Sequence, residues 1–269
     1  MNIGMITCTY FMRIYDYNPP VPFNWGAMCD KYRMEFGAAE FLKLAAEIRA
    51  IGFNSMEIWE PMFSHKVYNH DMAQKIAGEL RRMGFQNLVY CIGGWGAGDV
   101  PSIDAAYAFA RAMGCKVVTG CVTKADAAAV LPALQAAGDK YDMLYAIENH
   151  PAPSIESPED VDVLCRPYPR VGANLDTGIY NMMGYDVLAA ADLLKDKIFH
   201  CHFKDSPRGG EGCLPIGDAD TPCAELLAKF RAWDYQYMVS VEYEFPTDPA
   251  PGLYKSLGYI GGVLKTLEI

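Results

Sequence analysis

The sequence predicts a (β/α)8 barrel, and three observations carry that expectation. Apolar runs of strand length alternate with segments of helical period about every 30 residues, the spacing of a βα unit, and eight such runs occur. The chain has 269 residues, close to the roughly 250 that one barrel uses, and 51% of them are hydrophobic, enough for one large core. An open doubly wound sheet shares the βα grammar, but the first strand is followed by no Gly-rich phosphate turn. The whole chain, residues 1–269, reads as one domain without a linker or low-complexity tract.

The strands are expected at Ile3–Thr9, Ser55–Trp59, Asn87–Cys91, Lys116–Gly120, Met143–Glu148, Val171–Leu175, Ile198–His202 and Met238–Glu242. Between the first two, Phe41, Leu44, Ala45, Ile48 and Ile51 recur at spacings of three and four before Gly52, which gives a helix with a glycine stop. Asp71–Met83 before Gly84 and Ser102–Met113 before Gly114 repeat the pattern, and Lys124–Ala137 is expected to stop at Gly138. Ser157–Leu164 is short and flanked by proline. Tyr185–Leu194, Thr221–Trp233 and Pro251–Leu267 supply the remaining helices. Two loops exceed what connection requires: Tyr15–Glu35, rich in proline and aromatics, and Ser206–Asp220, rich in glycine. Both follow strands, so both belong to the face of a barrel that carries catalysis.

Composition excludes several classes. A net charge of −10 without a Lys/Arg cluster argues against a nucleic-acid surface. No apolar run of membrane-spanning length occurs, and Met1–Cys8 reads as a first strand rather than a signal peptide. Nine cysteines without a CxxC pair suggest buried free thiols in a reducing cytoplasm.

Four strands in the second half end on candidate metal ligands: Glu148, Asp176, His202 and Glu242. In a barrel, adjacent strand ends converge, so these four side chains suit one divalent cation with oxygen-rich coordination, such as Mn²⁺ or Mg²⁺. Taken singly, each has an ordinary reading: a capping carboxylate, a turn aspartate, a hydrogen-bonded core histidine. The repeated position at strand exits favours the cluster. His200, one layer deeper than His202, reads as a core histidine. Glu148 and Glu242 would stand on opposite sides of a substrate and could move a proton beside a carbonyl through a metal-stabilised enediolate.

The chain resembles the xylose isomerase-like TIM barrels of the sugar phosphate isomerase/epimerase superfamily over essentially its whole length. The segments that carry the resemblance are Gly52–Trp59, Ile147–His150, Leu175–Gly178, His202–Asp205, Gly210–Gly217, Val241–Glu244 and Asp248–Leu257. The resemblance implies a sugar isomerase or epimerase whose metal is held by Glu148, Asp176, His202 and Glu242, with the two glutamates as acid and base. Mn²⁺ is common in such proteins, with Mg²⁺, Co²⁺ or Zn²⁺ in some, and dimers and tetramers occur among relatives. Lys204 and His150 match positions near substrate, and Arg208 matches an arginine of ketose 3-epimerases. Many relatives carry histidine three residues after the strand-six aspartate; Ile179 stands there here, with Tyr180 and Asn181 beside it.

Glu57 is expected to face the barrel mouth and bind a sugar hydroxyl, or to pair with Lys116 or Arg33. Trp59, Trp95, Phe11 and Trp25 could wall a sugar ring. Gly93–Gly98 reads as a lid or tight turn, and His65 and His70 as a poor metal pair. The substrate is expected to be a small carbohydrate. The competing activity is a metal-dependent lyase of the same barrel, as in inosose dehydratases and enzymes that act on 3-keto-glycosides. An endonuclease IV-like hydrolase would need more than the five histidines present and a basic groove. A sugar-binding barrel without catalysis would not need the acid–base pair.

Overall fold

The computed structural model describes residues 1–267 and forms a closed barrel of eight parallel strands in sequence order. The strands are β1 Asn2–Ile6, β2 Ser55–Trp59, β3 Asn87–Trp95, β4 Val117–Val122, β5 Leu144–Glu148, β6 Val171–Asp176, β7 Ile198–Phe203 and β8 Met238–Val241. Closure runs through β1 and β8, where Gly4 pairs with Ser240 and Met5 with Val241. This is the expected (β/α)8 TIM barrel.

The outer layer comprises α1 Trp25–Glu35, α2 Ala38–Ile51, α3 His70–Arg82, α4 Ile103–Met113, α5 Ala127–Tyr141, α6 Pro158–Cys165, α7 Thr177–Met182, α8 Val187–Leu194, α9 Cys223–Ala232 and α10 Ala250–Thr266. Gly52, Gly84 and Gly114 follow α2, α3 and α4 with φ of 124°, 93° and 87°, the left-handed stop that favours glycine. Gly138 behaves differently. It lies inside α5, where a Cβ would come 2.8 Å from Arg170 Cβ and 2.9 Å from the Met143 carbonyl. Its lack of a side chain serves packing, and the helix ends three residues later, before Asp142 at φ 52°.

Other boundaries moved for identifiable reasons. β1 stops at Ile6, and Thr7–Tyr15 coils into 3₁₀ turns. The ladder there passes to side chains: the Trp59 amide donates to Thr7 Oγ1 (2.9 Å) and the Tyr243 amide to Thr9 Oγ1 (3.2 Å). β3 runs on through Gly93 and Gly94 after a register shift, pairing Trp95 with Val122. The first half of the expected glycine lid is therefore strand. Two helices lie where none was expected. α1 occupies the long loop after β1, and α7 starts directly at Asp176.

Residues on alternating positions face the interior. Val89, Val117, Ala146, Phe199 and Met238 form an apolar floor. Phe199 reaches it through the bulge at which β7 slips against β6. Above the floor lies a polar layer, and above that the barrel mouth. All nine cysteines are free. Among the described residues, no helix is long and apolar enough to cross a membrane.

Candidate metal and catalytic centre

Glu148, Asp176, His202 and Glu242 meet at the mouth. One ligand atom from each lies within 4.8 Å of those of the other three, and all four residues are buried. His202 Nδ1 is the hub: Glu242 Oε2 is 3.0 Å away, Glu148 Oε1 3.2 Å and Asp176 Oδ2 3.9 Å.

Backbone clamps fix these positions. Asn149 accepts from the Asp176 amide (2.8 Å) and donates to the Asp176 carbonyl (3.1 Å), locking the β5 exit to the β6 exit. Asn174 accepts from the His202 amide (2.9 Å). Thr177 Oγ1 donates to the Lys204 carbonyl (2.7 Å) and accepts from the Lys204 amide (2.9 Å), tying β6 to β7. Asp176 caps α7, its Oδ1 accepting from the Ile179 amide (2.8 Å), which leaves Oδ2 for the cluster. Gly178 makes room for Lys204: a Cβ there would fall 2.4 Å from Lys204 Cβ.

Glu57 lies under the cluster, fully buried, and does not face the mouth. Both of its oxygens are 3.1 Å from His202 Nε2, Oε2 is 2.7 Å from His200 Nε2, and Thr119 donates to Oε1 (2.5 Å). Neither expected ion pair forms. Arg33 binds Glu60 instead (2.5 Å), and Lys116 lies by Asp142. Because Nε2 faces a carboxylate, its proton is held there, and Nδ1, which faces the three mouth carboxylates, is the nitrogen that would coordinate a cation once its own proton is displaced. This carboxylate–histidine arrangement typically orients a metal ligand from behind.

The charges are strongly coupled. Burial acts to lower the His202 pKa, but the carboxylates of Glu57, Glu242 and Glu148 override it and hold the imidazole well above its ordinary range. Glu148 is lowered against burial by His202, and Glu57 is held well below the carboxylate range by His200 and His202. Burial pushes Asp176 up to about 6, with Lys204 opposing and Glu242 and Glu148 adding to the rise. Lys204 is held high, against burial, by Asp176, Glu242 and Glu244, each 3.2 Å from Nζ. Even so, among the described residues Asp176 Oδ2 and Glu242 Oε2 accept no hydrogen bond, although both are buried. Three buried carboxylates and one imidazole, with two oxygens held by ion pairs to Lys204 and His202 and not by hydrogen bonds, fit a divalent cation, and this cluster could hold one.

The cluster opens into a cavity of about 180 Å³ lined by Glu148, His202 and Glu242 together with their neighbours. Lys204, His150 and Trp59 line it. Arg208 does not. It is exposed, and its guanidinium donates to the carbonyls of Gly184 (2.9 Å) and Tyr185 (3.2 Å), bracing a loop. Ile179 lines the cavity where relatives place histidine, while Tyr180 and Asn181 lie outside the lining. His65 is occupied by the Tyr90 hydroxyl (3.0 Å). Alternation places Glu244 above Glu242 at the mouth, and it lines the cavity; sequence reasoning missed Ile6 and three thiols in the wall: Cys8, Cys91 and Cys121. Burial raises all three thiol pKa values, so they are neutral, and Cys121 Sγ donates weakly to Glu148 Oε2 (3.7 Å).

A parallel eight-stranded barrel with a buried carboxylate–histidine cluster at its carboxyl end defines the class: a TIM barrel whose mouth could hold a cation. The chain belongs to the xylose isomerase-like TIM barrel family, whose sequence model matches residues 45–260. Among solved structures it is similar to a D-tagatose 3-epimerase-like protein at 16% identity and TM-score 0.72, over 100% of this chain and 98% of that one. It is similar to 3-keto-D-glucoside 4-epimerase YcjR from E. coli at 16% identity and TM-score 0.63, over 97% and 99%. A third is the probable 3-DHS dehydratase AsbF from Bacillus anthracis, at 12% identity and TM-score 0.70, over 97% and 99%. A sequence comparison with curated proteins finds no match.

Proposed function

We propose that the protein is a divalent-metal-dependent isomerase or epimerase of a keto sugar, with the whole chain acting as one barrel domain. The observation that carries this reading is the pair Glu148 and Glu242. Both are buried, both line one cavity, and they approach the same imidazole nitrogen at 3.2 and 3.0 Å from β5 and from the exit of β8. Glu148, Asp176, His202 and Glu242 would hold the ion, best Mn²⁺, which when bound polarises a substrate carbonyl and acidifies the adjacent C–H.

The chain's own groups do the rest. One glutamate takes the proton from carbon and the other returns one, the assignment depending on which face of the sugar each meets. Lys204 holds Glu242 and Glu244 in place and presents its ammonium to the substrate oxygens. Trp59 and Ile179 exclude water from one side. His150, exposed at the rim, is placed to contact an outer hydroxyl. The epimerases among the similar structures support the reading, and the probable dehydratase among them keeps elimination as the rival outcome.

The test is ¹H NMR in D₂O with Mn²⁺-loaded protein and a panel of keto sugars and inosose. Deuterium at the carbon beside the carbonyl, with inverted or isomerised product and loss of turnover on chelation, is the expected result. A vinylic or dicarbonyl product would assign the chain to the lyases instead, and no exchange on any ligand would remove the proposal.

A further inference from the structure

The catalytic cavity continues outward onto an aromatic ledge that the proposed reaction does not use. Trp59 and Trp25 both line the cavity, with ring centroids 5.8 Å apart. Trp25 in turn meets Phe23 at 6.1 Å and Phe11 at 5.3 Å. Phe23 lies outside the cavity lining, and it and Trp25 are 38% and 43% exposed. Two centroid steps thus carry flat apolar surface from the metal cluster's wall into solvent.

The ledge is rigidly mounted. Asn24 caps α1 by accepting from the Ala27 amide (2.8 Å), and Tyr32, fully buried, donates to the Tyr10 carbonyl (2.7 Å). Arg33 on the same helix pairs with the buried Glu60 (2.5 Å). A helix held at three points keeps Trp25 at a fixed angle, although the residue stays partly open to solvent. Large aromatics left exposed beside a polar cavity, on a preorganised element, mark a recognition surface. The cavity itself, at about 180 Å³, is below the size of pockets that take drug-like ligands, so it has room for about one sugar ring.

We infer that the ledge is a second subsite, which takes a ring attached to the reacting sugar: the substrate is a glycoside, with its keto ring in the cavity and its aglycone or second sugar stacked on Trp25 and Phe23. The inference rests on the keto-sugar reading above and narrows its substrate class. The ledge's continuity with the cavity wall, through two tryptophans that line both, favours an attached ring over a separate partner.

The test is calorimetric titration of Mn²⁺-loaded protein with methyl and with phenyl glucopyranosides oxidised at C3, in both anomeric forms. The phenyl glycoside of one anomer is expected to bind about three- to tenfold more tightly, the range one aromatic stack supplies. That ratio should fall towards one in Trp25→Ala and, should that variant fold poorly, in Phe23→Ala, which lies outside the cavity. Equal affinities in the wild type, or a ratio that neither substitution moves, would overturn the subsite while leaving the keto-sugar reading intact. Sedimentation that shows a dimer broken by Trp25→Ala, with equal affinities, would make the ledge an interface between copies. Binding of neither ligand, and of no free keto sugar, would remove both proposals together.

Discussion

Replacing Glu57 with glutamine isolates the layer beneath the carboxylate–histidine cluster without touching a proposed ligand. The carboxylate presently serves three donors: His200 at 2.7 Å, His202 at 3.1 Å to each oxygen, and Thr119 at 2.5 Å. Glutamine keeps the shape but offers one acceptor oxygen in place of two, and it removes the negative charge. An amide N–H turned towards His202 Nε2 would favour the tautomer with its proton on Nδ1, where the cation should bind. Even with the amide oxygen facing His202, the imidazole loses the charge that strengthens it as a ligand. Losses of this kind typically weaken metal binding about 10- to 100-fold, or about 1.4–2.7 kcal/mol. The assay is Mn²⁺ titration followed by calorimetry and by electron paramagnetic resonance of free Mn²⁺, with circular dichroism to confirm the fold. A Kd within about twofold of wild type would refute the claim that Glu57 orients His202.

Further outcomes follow from the same geometry. Since, against burial, the surrounding carboxylates hold His202 protonated well above its usual range in the metal-free protein and Asp176 is raised to about 6, cation binding should release the His202 proton and, below about pH 6, a second from Asp176. Affinity should therefore rise with pH; calorimetry in buffers of different ionisation enthalpy counts the protons, and a pH-independent Kd would contradict this. Asn149→Ala should cost about 2–4 kcal/mol, because two buried backbone groups of Asp176 lose their partner, and denaturant titration measures it. Arg208→Ala should change KM by no more than about twofold, since its guanidinium braces loop carbonyls outside the cavity; a large rise would return Arg208 to the substrate.

The barrel was legible because its signal is repetitive. Each βα unit restates the same alternation, and the boundaries differ by only a few residues where side chains such as Thr7 and Thr9 take over the ladder. α1 and α7 were hidden for different reasons. α1 buries only Met28 and Tyr32, too few anchors for a periodic stripe, and a Pro-rich stretch precedes it. α7 is six residues long, and its capping aspartate is also a cluster residue, so Asp176-Thr-Gly read as a turn. The four cluster residues could be found because strand exits are visible in sequence. The depth of Glu57 was not: a strand-end position does not say whether a carboxylate points over the rim or down onto two histidines. The alternation of His200 and His202 on one face was the available clue, since two interior imidazoles call for a buried acceptor. Arg208 failed in the opposite way, because no motif reveals that backbone carbonyls already occupy a guanidinium.

The charge balance of the mouth bears on the ligand itself. Glu57, Glu148, Asp176, Glu242 and Glu244 face two internal cations, Lys204 and protonated His202. When a divalent cation displaces the His202 proton, the carboxylates still outnumber the positive charge. Lys204 is already shared among three of them, and Arg208, the residue best suited to a phosphate, is committed to Gly184 and Tyr185. A dianionic phosphate would thus enter a net-negative cavity where Lys204 is already shared among three carboxylates, and like charges brought together at a site cost several kcal/mol. This charge balance favours an uncharged form of the keto sugar proposed above. For any keto sugar the protein turns over, the phosphorylated form should therefore bind at least about tenfold more weakly in competition assays, and a phosphorylated sugar that bound more tightly would show that the electrostatic reading of the mouth is wrong.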